Sequence, residues 1–259
     1  MNIITVLTDF GARDPYVGIM KGVMLAINPL LHIVDITHEV AGQDVEEASF
    51  LIGEYFPYFP MATIHLCVVD PTVGSARKSL VVAKDGHMFV GPDNGIFSLL
   101  FARGETRAYE ITNRRFMGEA LSGTFHGRDL FAPVAAHLSA GVAPSEFGPV
   151  VVEPVMLRGL FPTVAHDVME GRIVRFDRFG NAISNIAFDS FKDFVGSRSF
   201  TVELSSLVFR SLSRSYHESR HACLVGSSGY LEFGLFMGDL AQDSGIRKHE
   251  PVRVRRHLP

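Results

Sequence analysis

Apolar runs of strand length alternate with helical patterns over the first half of this sequence, and this alternation restricts the fold more than any other feature. Strand-like runs at 3–7, 32–36 and 63–69 are separated by segments in which apolar residues recur at helical spacing. Strands that alternate with helices are typical of a mostly parallel sheet covered by helices on both faces. We therefore predict an N-terminal α/β domain over residues 1–155.

The turn residues of this half place its remaining elements. Asp85-Gly86 tolerates the positive φ of a tight turn, so it predicts a hairpin, and Asp44 is a favourable N-cap for a helix. The further elements predicted here are helices at 16–27, 44–55, 96–101 and 129–140, hairpin strands at 79–84 and 87–90, and a strand at 108–111.

The pattern changes from about Gly171, where short apolar runs are broken by Gly, Asn, Asp and Ser and no helix is predicted. Regularly spaced short strands indicate a smaller all-β barrel or sandwich domain, which we place at residues 168–259. The linker is expected within 149–167, where the periodicity is weak. The strands predicted in this domain are 173–176, 200–204, 222–225, 230–233 and 252–254.

Composition excludes several functional classes. The net charge of −4 and the scattered Lys and Arg residues give no basic stripe for nucleic acid. No run reaches the roughly 18 apolar residues of a membrane span, and the first residues resemble a strand more than an export signal. Cys67 and Cys223 lie in apolar runs, as expected of reduced, buried thiols. We expect a soluble cytoplasmic protein that binds neither nucleic acid nor membrane.

Polar segments follow several predicted strands, and ligands of open parallel sheets bind at the carboxyl ends of strands. Asp9, directly after the first strand, can accept two hydrogen bonds from the vicinal diol of a ribose. The alternative is that Asp9 caps the following turn through the backbone. The segments in question are 8–11, 70–74, 91–95 and 124–129.

Asp70, Arg77 and His126 are candidates for a cluster that binds and deprotonates a water. An arginine beside the water favours hydroxide, and an imidazole oriented by an aspartate can take or relay the proton. The alternatives are a turn-forming aspartate before Pro71, a surface arginine and a loop histidine.

In the second domain, the segments 177–181 and 226–232 are typical of turns between strands. Phe179 offers a face on which a purine base can stack, and Asn181 offers an amide that can hydrogen-bond to it.

Two other classes of function fit these residues. A metal-dependent nucleoside or phosphoester hydrolase would use carboxylates at the strand ends as ligands of a divalent cation. A non-catalytic nucleoside-binding protein would bind its ligand without forming a product. The candidate metal ligands are Asp9, Asp14, Asp70, Asp93 and His126.

Taken together, seven segments in order along the chain resemble the S-adenosyl-L-methionine hydroxide adenosyltransferase family, whose members are related to fluorinases and chlorinases. Each segment is short, but the set spans nearly the whole chain. The segments are Thr8-Asp9-Phe10-Gly11, Gln43-Asp44-Val45-Glu46-Glu47, Asp70-Pro71-Thr72-Val73-Gly74 with Arg77, Gly91-Pro92-Asp93-Asn94-Gly95, Thr124-Phe125-His126-Gly127-Arg128-Asp129, Phe179-Gly180-Asn181 and Ser227-Ser228-Gly229-Tyr230-Leu231.

The resemblance implies hydrolysis of S-adenosyl-L-methionine (SAM) to adenosine and methionine, without metal or cofactor. It implies that Asp70, Arg77 and His126 activate the water and that Asp9 contacts the ribose. It also implies a homotrimer with sites between the N-terminal domain of one subunit and the C-terminal domain of its neighbour. The further substrate contacts that it implies are Phe125, Gly127, Asp177, Phe179, Asn181, Ser227, Ser228 and Glu232.

Three positions indicate the hydrolase branch. Halide-using relatives carry tyrosine, threonine and serine where this chain has Asp70, Val73 and Gly127, and an anionic Asp70 disfavours halide in the same pocket. Two segments depart from the family pattern, namely 233–239, where the family has an Asn-containing segment, and 209–222.

Overall fold

The computed structural model describes residues 2–257. Met1, Leu258 and Pro259, at the outer ends of the two predicted domains, lie outside the described residues. The chain divides into two compact units, Met1–Leu157 and Arg158–Pro259, and each has an apolar core of its own. Within residues 2–257, no helix is long and apolar enough to cross a membrane.

A seven-stranded sheet in the order β2-β1-β3-β5-β4-β6-β7 forms the centre of the first unit. Pairing is parallel from β2 through β1 and β3 to β5, and antiparallel from β5 through β4 and β6 to β7. The predicted hairpin is confirmed, since Asp85 and Gly86 join β4 to β5 with φ of 47° and 76°. The strands are β1 (Ile3–Thr8), β2 (His32–Thr37), β3 (Ile64–Val68), β4 (Ser79–Lys84), β5 (His87–Pro92), β6 (Arg107–Glu110) and β7 (Val150–Val151).

Helices cover both faces of this sheet, which confirms the predicted α/β class. Alternate residues of a strand point to opposite faces; Leu66 packs in one core with α1 and α4, and Cys67 in another with α2 and α3. Asp44 caps α2 by accepting a hydrogen bond from the amide of Glu47 at 3.0 Å. The helices are α1 (Tyr16–Ile27), α2 (Val45–Tyr55), α3 (Ser98–Phe101) and α4 (Ala132–Ser139).

The helix predicted over 129–140 begins differently in the structure. A π-helical turn over Gly127–Phe131 precedes α4, and the amide of Ala132 bonds to the carbonyl of Gly127. The spacing of apolar residues over a single turn does not distinguish the i→i+4 hydrogen bonds of an α-helix from the i→i+5 bonds of a π-helix. The sequence therefore could not predict the π-helical turn. Such turns occur frequently at functional sites.

The second unit is an antiparallel, barrel-like sheet in the order β12-β11-β15-β9-β10-β14-β13, with β8 paired to β9. All pairings between its named strands are antiparallel, which confirms the predicted small β domain. Its strands are β8 (Thr163–Ala165), β9 (Val168–Phe176), β10 (Ala182–Ala187), β11 (Phe200–Leu204), β12 (Leu207–Phe209), β13 (His221–Val225), β14 (Tyr230–Leu235) and β15 (Pro251–Arg256).

The prediction of no helix in this unit was wrong. The structure has α5 (Phe188–Val195) and α6 (Leu240–Ser244). Phe191, Phe194 and Val195 recur at helical spacing and are buried in the core. With only eight residues directly after β10, α5 has too few periods to be recognised against the surrounding strand pattern.

Strand β10 was also not predicted, because polar residues interrupt its apolar run. Ser184 and Asn185 are buried and satisfied by hydrogen bonds. The Ser184 hydroxyl donates to the carbonyl of Leu231 at 2.8 Å, and the Asn185 Oδ1 accepts from the amide of Arg172 at 2.8 Å. Hydrogen bonds to residues distant in sequence therefore allow these two polar side chains to lie inside the core.

Candidate active site

Asp70, Arg77 and His126 come together in the first unit. Asp70 follows β3, Arg77 precedes β4, and His126 precedes the π-helical turn. The Arg77 Nε lies 3.0 Å and 2.9 Å from the two carboxylate oxygens of Asp70, and the Arg77 Nη2 lies 2.9 Å from the His126 Nδ1. The side chains of Asp70 and Arg77 are only 5% and 7% exposed, so solvent screens this ion pair weakly.

Arg77 directs N–H groups from all three of its nitrogens at partners. Nε and Nη2 bond to Asp70, and Nη2 also bonds to His126. Nη1 donates to the Ser79 Oγ at 2.7 Å and to the Lys78 carbonyl at 3.3 Å. Because a guanidinium has five N–H donors and no acceptor, these contacts use its whole donor set and fix its plane.

The contact with Arg77 fixes the tautomer of His126. Since the guanidinium only donates, the His126 Nδ1 must accept, and the proton of the neutral ring lies on Nε2. Burial, and then the positive charge of Arg77, lower the pKa of His126, which favours this neutral form. The imidazole is thus oriented by the arginine, where the sequence suggested an aspartate.

Asp70 also shapes its own loop. Its Oδ1 accepts hydrogen bonds from the amide and the hydroxyl of Thr72 at 3.3 Å and 3.1 Å, so the turn-forming role that was the alternative to function exists beside the ion pair. Gly74 has φ of 79°, and a Cβ there would lie 2.4 Å from the carbonyl oxygen of Gly123. Glycine therefore allows the loop after β3 to approach the loop that carries His126.

Asp9 is half-buried at the end of β1 and holds the neighbouring loop. Its Oδ2 accepts a hydrogen bond from the amide of Gln43 at 2.8 Å, where φ of Gln43 is 67°. The same turn is tied to His38, since the amide of Gly11 donates to the His38 carbonyl at 2.7 Å. This is the capping type of contact considered for Asp9, made to a distant loop instead of the next turn.

Gly127 lies at a close approach of three side chains. A Cβ at this buried position would lie 3.0 Å from the Met20 Sδ, 3.2 Å from a Phe125 ring carbon and 3.4 Å from a Phe10 ring carbon. A serine at this position would require these neighbours to move.

We expect Gly127→Ala to lower the free energy of unfolding by about 1–2 kcal/mol, because overpacking outweighs the usual helical gain of alanine over glycine. The matched control is Gly22→Ala in α1, where a Cβ meets nothing within 4 Å and about 0.5–1 kcal/mol of stabilisation is expected. Urea unfolding measures both changes, and equal effects of the two substitutions would contradict the packing argument.

The candidate metal ligands do not form a ligand set. Among residues 2–257, no group of three or more His, Cys, Asp or Glu side chains is placed to hold a metal ion. Asp93 instead accepts a hydrogen bond from the amide of Val155 at 2.8 Å, and burial raises its pKa.

The predicted contacts of the second unit line a pocket of about 930 Å³. Asp177 organises one wall, since its Oδ1 accepts from the amides of Phe179 and Asn181, both at 2.9 Å, and its Oδ2 accepts from the Asn181 side chain at 2.9 Å. Phe179 is 76% exposed. Gly180 has φ of 82° and allows a close approach to Asp239. The exposed ring of Phe179 thus lies close in sequence to the side-chain amide of Asn181, which Asp177 holds in place.

Ser227, Ser228 and Glu232 line the same pocket. Ser227 and Ser228 lie in the turn between β13 and β14, and Glu232 is buried in β14. The Tyr216 hydroxyl donates a short hydrogen bond to the Glu232 Oε1. Burial raises the pKa of Glu232, and burial together with Glu232 raises the pKa of Tyr216.

Three contributing residues were missed from the sequence. Ser79 lies two residues after Arg77 in an extended segment, so period-two spacing could have indicated a shared face. Phe131 places its ring 5.2 Å from the Arg77 Cζ, and Tyr216 comes from the segment 209–222 that matched no family pattern. Neither carries a local signal, because each meets its partner through the tertiary fold.

Comparison with known proteins gives consistent matches along the chain. Residues 4–148 match the SAM hydroxide adenosyltransferase N-terminal domain, and residues 171–253 match the corresponding C-terminal domain. An (R)-S-adenosyl-L-methionine hydrolase from Thermus thermophilus is 36% identical over 98% of this chain and 100% of the relative. A fluorinase from Actinoplanes sp. is 29% identical over 71% of each chain.

A crystal structure of a conserved protein from Thermotoga maritima superimposes with a TM-score of 0.89 at 32% identity, covering 98% of this chain and 100% of that one. The family match spans both units and includes every segment of the cluster around Arg77. This chain therefore belongs to the SAM hydroxide adenosyltransferase family.

Proposed function

We propose that the protein hydrolyses SAM to adenosine and L-methionine by in-line attack of an activated water on the ribose C5′. Membership of the family and the full-length similarity to an (R)-S-adenosyl-L-methionine hydrolase support the reaction. The observation that carries the mechanism is the buried cluster in which Arg77 bridges Asp70 and His126.

The water is held by Asp70 and His126. The donors of Arg77 are already engaged, so in this proposal the water bonds to the Asp70 carboxylate and to the Nε2–H of His126. It would take the place of the Thr72 hydroxyl at Asp70 and of the Ser122 backbone at His126. The imidazole donates to the water oxygen, and one water proton passes to the carboxylate as the C5′–O bond forms. Arg77 acts as a positioning residue, and its charge favours hydroxide nearby.

The electron pair of the breaking C5′–S bond goes to sulfur, so neutral methionine leaves. An attacking anion and a sulfonium cation cancel in the transition state, and a site that excludes bulk water favours that cancellation. The burial of the Asp70–Arg77 pair is consistent with such a site.

We assign the nucleoside contacts to the residues that resemble those of the family. Asp9 would accept hydrogen bonds from the ribose diol through the carboxylate that also holds Gln43. Phe179 would stack on the adenine, and Asn181, whose amide is oriented by Asp177, would hydrogen-bond to its edge. The remaining proposed substrate contacts are Phe125, Gly127, Asp177, Ser227, Ser228 and Glu232.

Incubation of the purified protein with SAM in ¹⁸O-labelled water and excess EDTA tests this proposal. We expect adenosine labelled at its 5′-oxygen together with unlabelled methionine, at the same rate with and without EDTA. Methylthioadenosine or S-adenosylhomocysteine as product would mean that another bond to sulfur breaks. Activity lost in EDTA and restored by a divalent cation would support the metal-dependent alternative, and binding without products would support a nucleoside-binding protein.

We further propose that the enzyme is cytoplasmic. Cys67 and Cys223 are free and buried, and burial raises the pKa of each thiol to about 12. Both features suit a reducing compartment.

A homotrimer with sites shared between neighbouring subunits is proposed from the family resemblance. Strand β2 is the edge of its sheet, and Leu30 and Val34, which are 71% and 38% exposed, line a depression along it. An open edge with exposed apolar side chains favours association. Sedimentation velocity is expected to give one species of three times the mass of one chain, and a monomer at micromolar concentration would contradict the proposal.

A further inference from the structure

Three aromatic rings of the first unit pack against one another and line a separate pocket. Phe10, Tyr16 and Phe125 form three edge-on pairs, with ring centroids 5.2–6.1 Å apart and interplanar angles of 69–76°. The pocket has a volume of about 510 Å³, and we call it the aromatic pocket. Its lining residues are Phe10, Tyr16, Ser122, Thr124, Phe125 and Arg128.

The rings are held by backbone contacts on different segments. The amide of Phe10 donates to the Thr8 Oγ1 at 3.3 Å, and the amide of Phe125 donates to the Ser122 Oγ at 2.8 Å. Tyr16 begins α1 and is 46% exposed. Gly127 leaves room for the Phe10 and Phe125 ring edges to meet beside its α-carbon. The arrangement is therefore fixed without being closed to a ligand.

Mutually edge-on rings do not suit a flat base, which can stack on only one of them at a time. They suit a compact cation, because such a group can contact several rings and is attracted by their quadrupoles, as in the aromatic cages that recognise quaternary ammonium groups.

The charge around the pocket does not oppose a cation. The Arg128 Cζ lies 5.2 Å from the centroid of Phe125, but its guanidinium is paired with Asp129 through Nε at 2.5 Å and Nη2 at 3.0 Å. The pair has no net charge. Within residues 2–257, no such cation is placed over the ring of Phe10 or of Tyr16.

We propose that the aromatic pocket binds the S-methyl sulfonium of the substrate and selects it over neutral thioethers. This inference rests on the proposed hydrolysis of SAM. Phe125 and His126 are consecutive, so their α-carbons are about 3.8 Å apart. The loop that carries Asp70 also approaches Gly123, where a Cβ on Gly74 would lie 2.4 Å from the carbonyl oxygen. The rings and the water-binding groups are therefore carried by neighbouring loops, and we infer that a sulfonium at the rings directs the adjoining C5′ toward the water.

Binding of three ligands to ring variants tests the proposal. SAM carries the sulfonium, S-adenosylhomocysteine carries a neutral thioether in its place, and adenosine carries neither. Equilibrium dialysis is done in the Asp70→Asn background to prevent turnover. In chains with Asp70 intact, KM for SAM and the inhibition constants of the two neutral ligands give the same comparison.

We expect Phe10→Leu and Tyr16→Leu each to weaken SAM binding about tenfold, and S-adenosylhomocysteine binding no more than about threefold, since leucine keeps apolar contact but loses the ring quadrupole. Adenosine binding should not change. Tyr16→Phe should restore the preference for SAM, and Phe59→Leu, outside the pocket, should leave all three affinities unaltered.

Equal losses for SAM and S-adenosylhomocysteine, a matching loss for adenosine, or no loss at all would each overturn the assignment. The unsubstituted chain is assayed for adenosine release in parallel. If it releases none, the proposed hydrolysis fails, whatever the dialysis shows about the pocket.

Discussion

Asp70→Asn is expected to lower the rate of SAM hydrolysis by about 10²–10⁴-fold, the usual contribution of a general base. Asparagine keeps the size of the side chain and an oxygen that can accept from Arg77, but it cannot take the water proton. His126→Ala should cause a loss in the same range, because no side-chain N–H is left to orient the water. Adenosine release measured by chromatography gives both rates.

The control for Asp70→Asn must separate the loss of the catalytic base from a loss of folding stability. Removing one partner of a buried ion pair costs about 3–5 kcal/mol when the other charge is left uncompensated, so adenosine affinity and Tm are measured for each variant. Asp167→Asn is the matched substitution, since Asp167 also pairs with an arginine, Arg256 at 2.8 Å, but is exposed. Turnover near that of the unsubstituted chain in Asp70→Asn would refute the assigned role.

The second large effect is acid destabilisation through His65. His65 is fully buried, with its Nδ1 2.7 Å from the Thr5 Oγ1, its Nε2 3.1 Å from the His87 Nδ1 and its ring stacked on Phe89. Burial, and then His87, lower the pKa of His65 from 6.5 to about 3. The folded state therefore holds this imidazole neutral, whereas the unfolded chain protonates it below pH 6.5.

The stability contributed by neutral His65 is complete above pH 6.5 and is lost as the pH falls toward 3. Each pH unit in this window removes up to about 1.4 kcal/mol, so unfolding at pH 4.5 should require roughly 2–3 kcal/mol less than at pH 7.5 from this group alone. Urea unfolding across the window measures the slope, which His65→Phe should flatten and the exposed-site control His32→Ala should not.

A slope that is the same with and without His65 would contradict this assignment. If His65→Phe does not fold, the imidazole can be followed in the unsubstituted protein by NMR. The ring protons of His65 should then keep the shifts of the neutral form down to about pH 4, well below the ordinary histidine pKa.

Local pattern determined much of the fold. Periodicity located β1, α1 and α2, and Asp85-Gly86 located a hairpin, because these features depend on side-chain spacing and turn conformation within a few residues. The same reasoning failed for α5, which is too short for the helical spacing of its apolar residues to be recognised. It also failed for β10, where Ser184 and Asn185 are satisfied only by distant partners.

The sequence by itself supplied the chemical groups of the site, and it located Asp9 and Asp70 after the strands β1 and β3, whose carboxyl ends lie at one edge because the strands are parallel. Only the tertiary structure decided how these groups meet. It placed Arg77 between Asp70 and His126. This position sets the tautomer of the imidazole, and it lets the guanidinium hold the other two side chains in place. Hydrogen bonds between residues up to 49 positions apart depend on how loops approach one another, and spacing along the chain does not encode that approach.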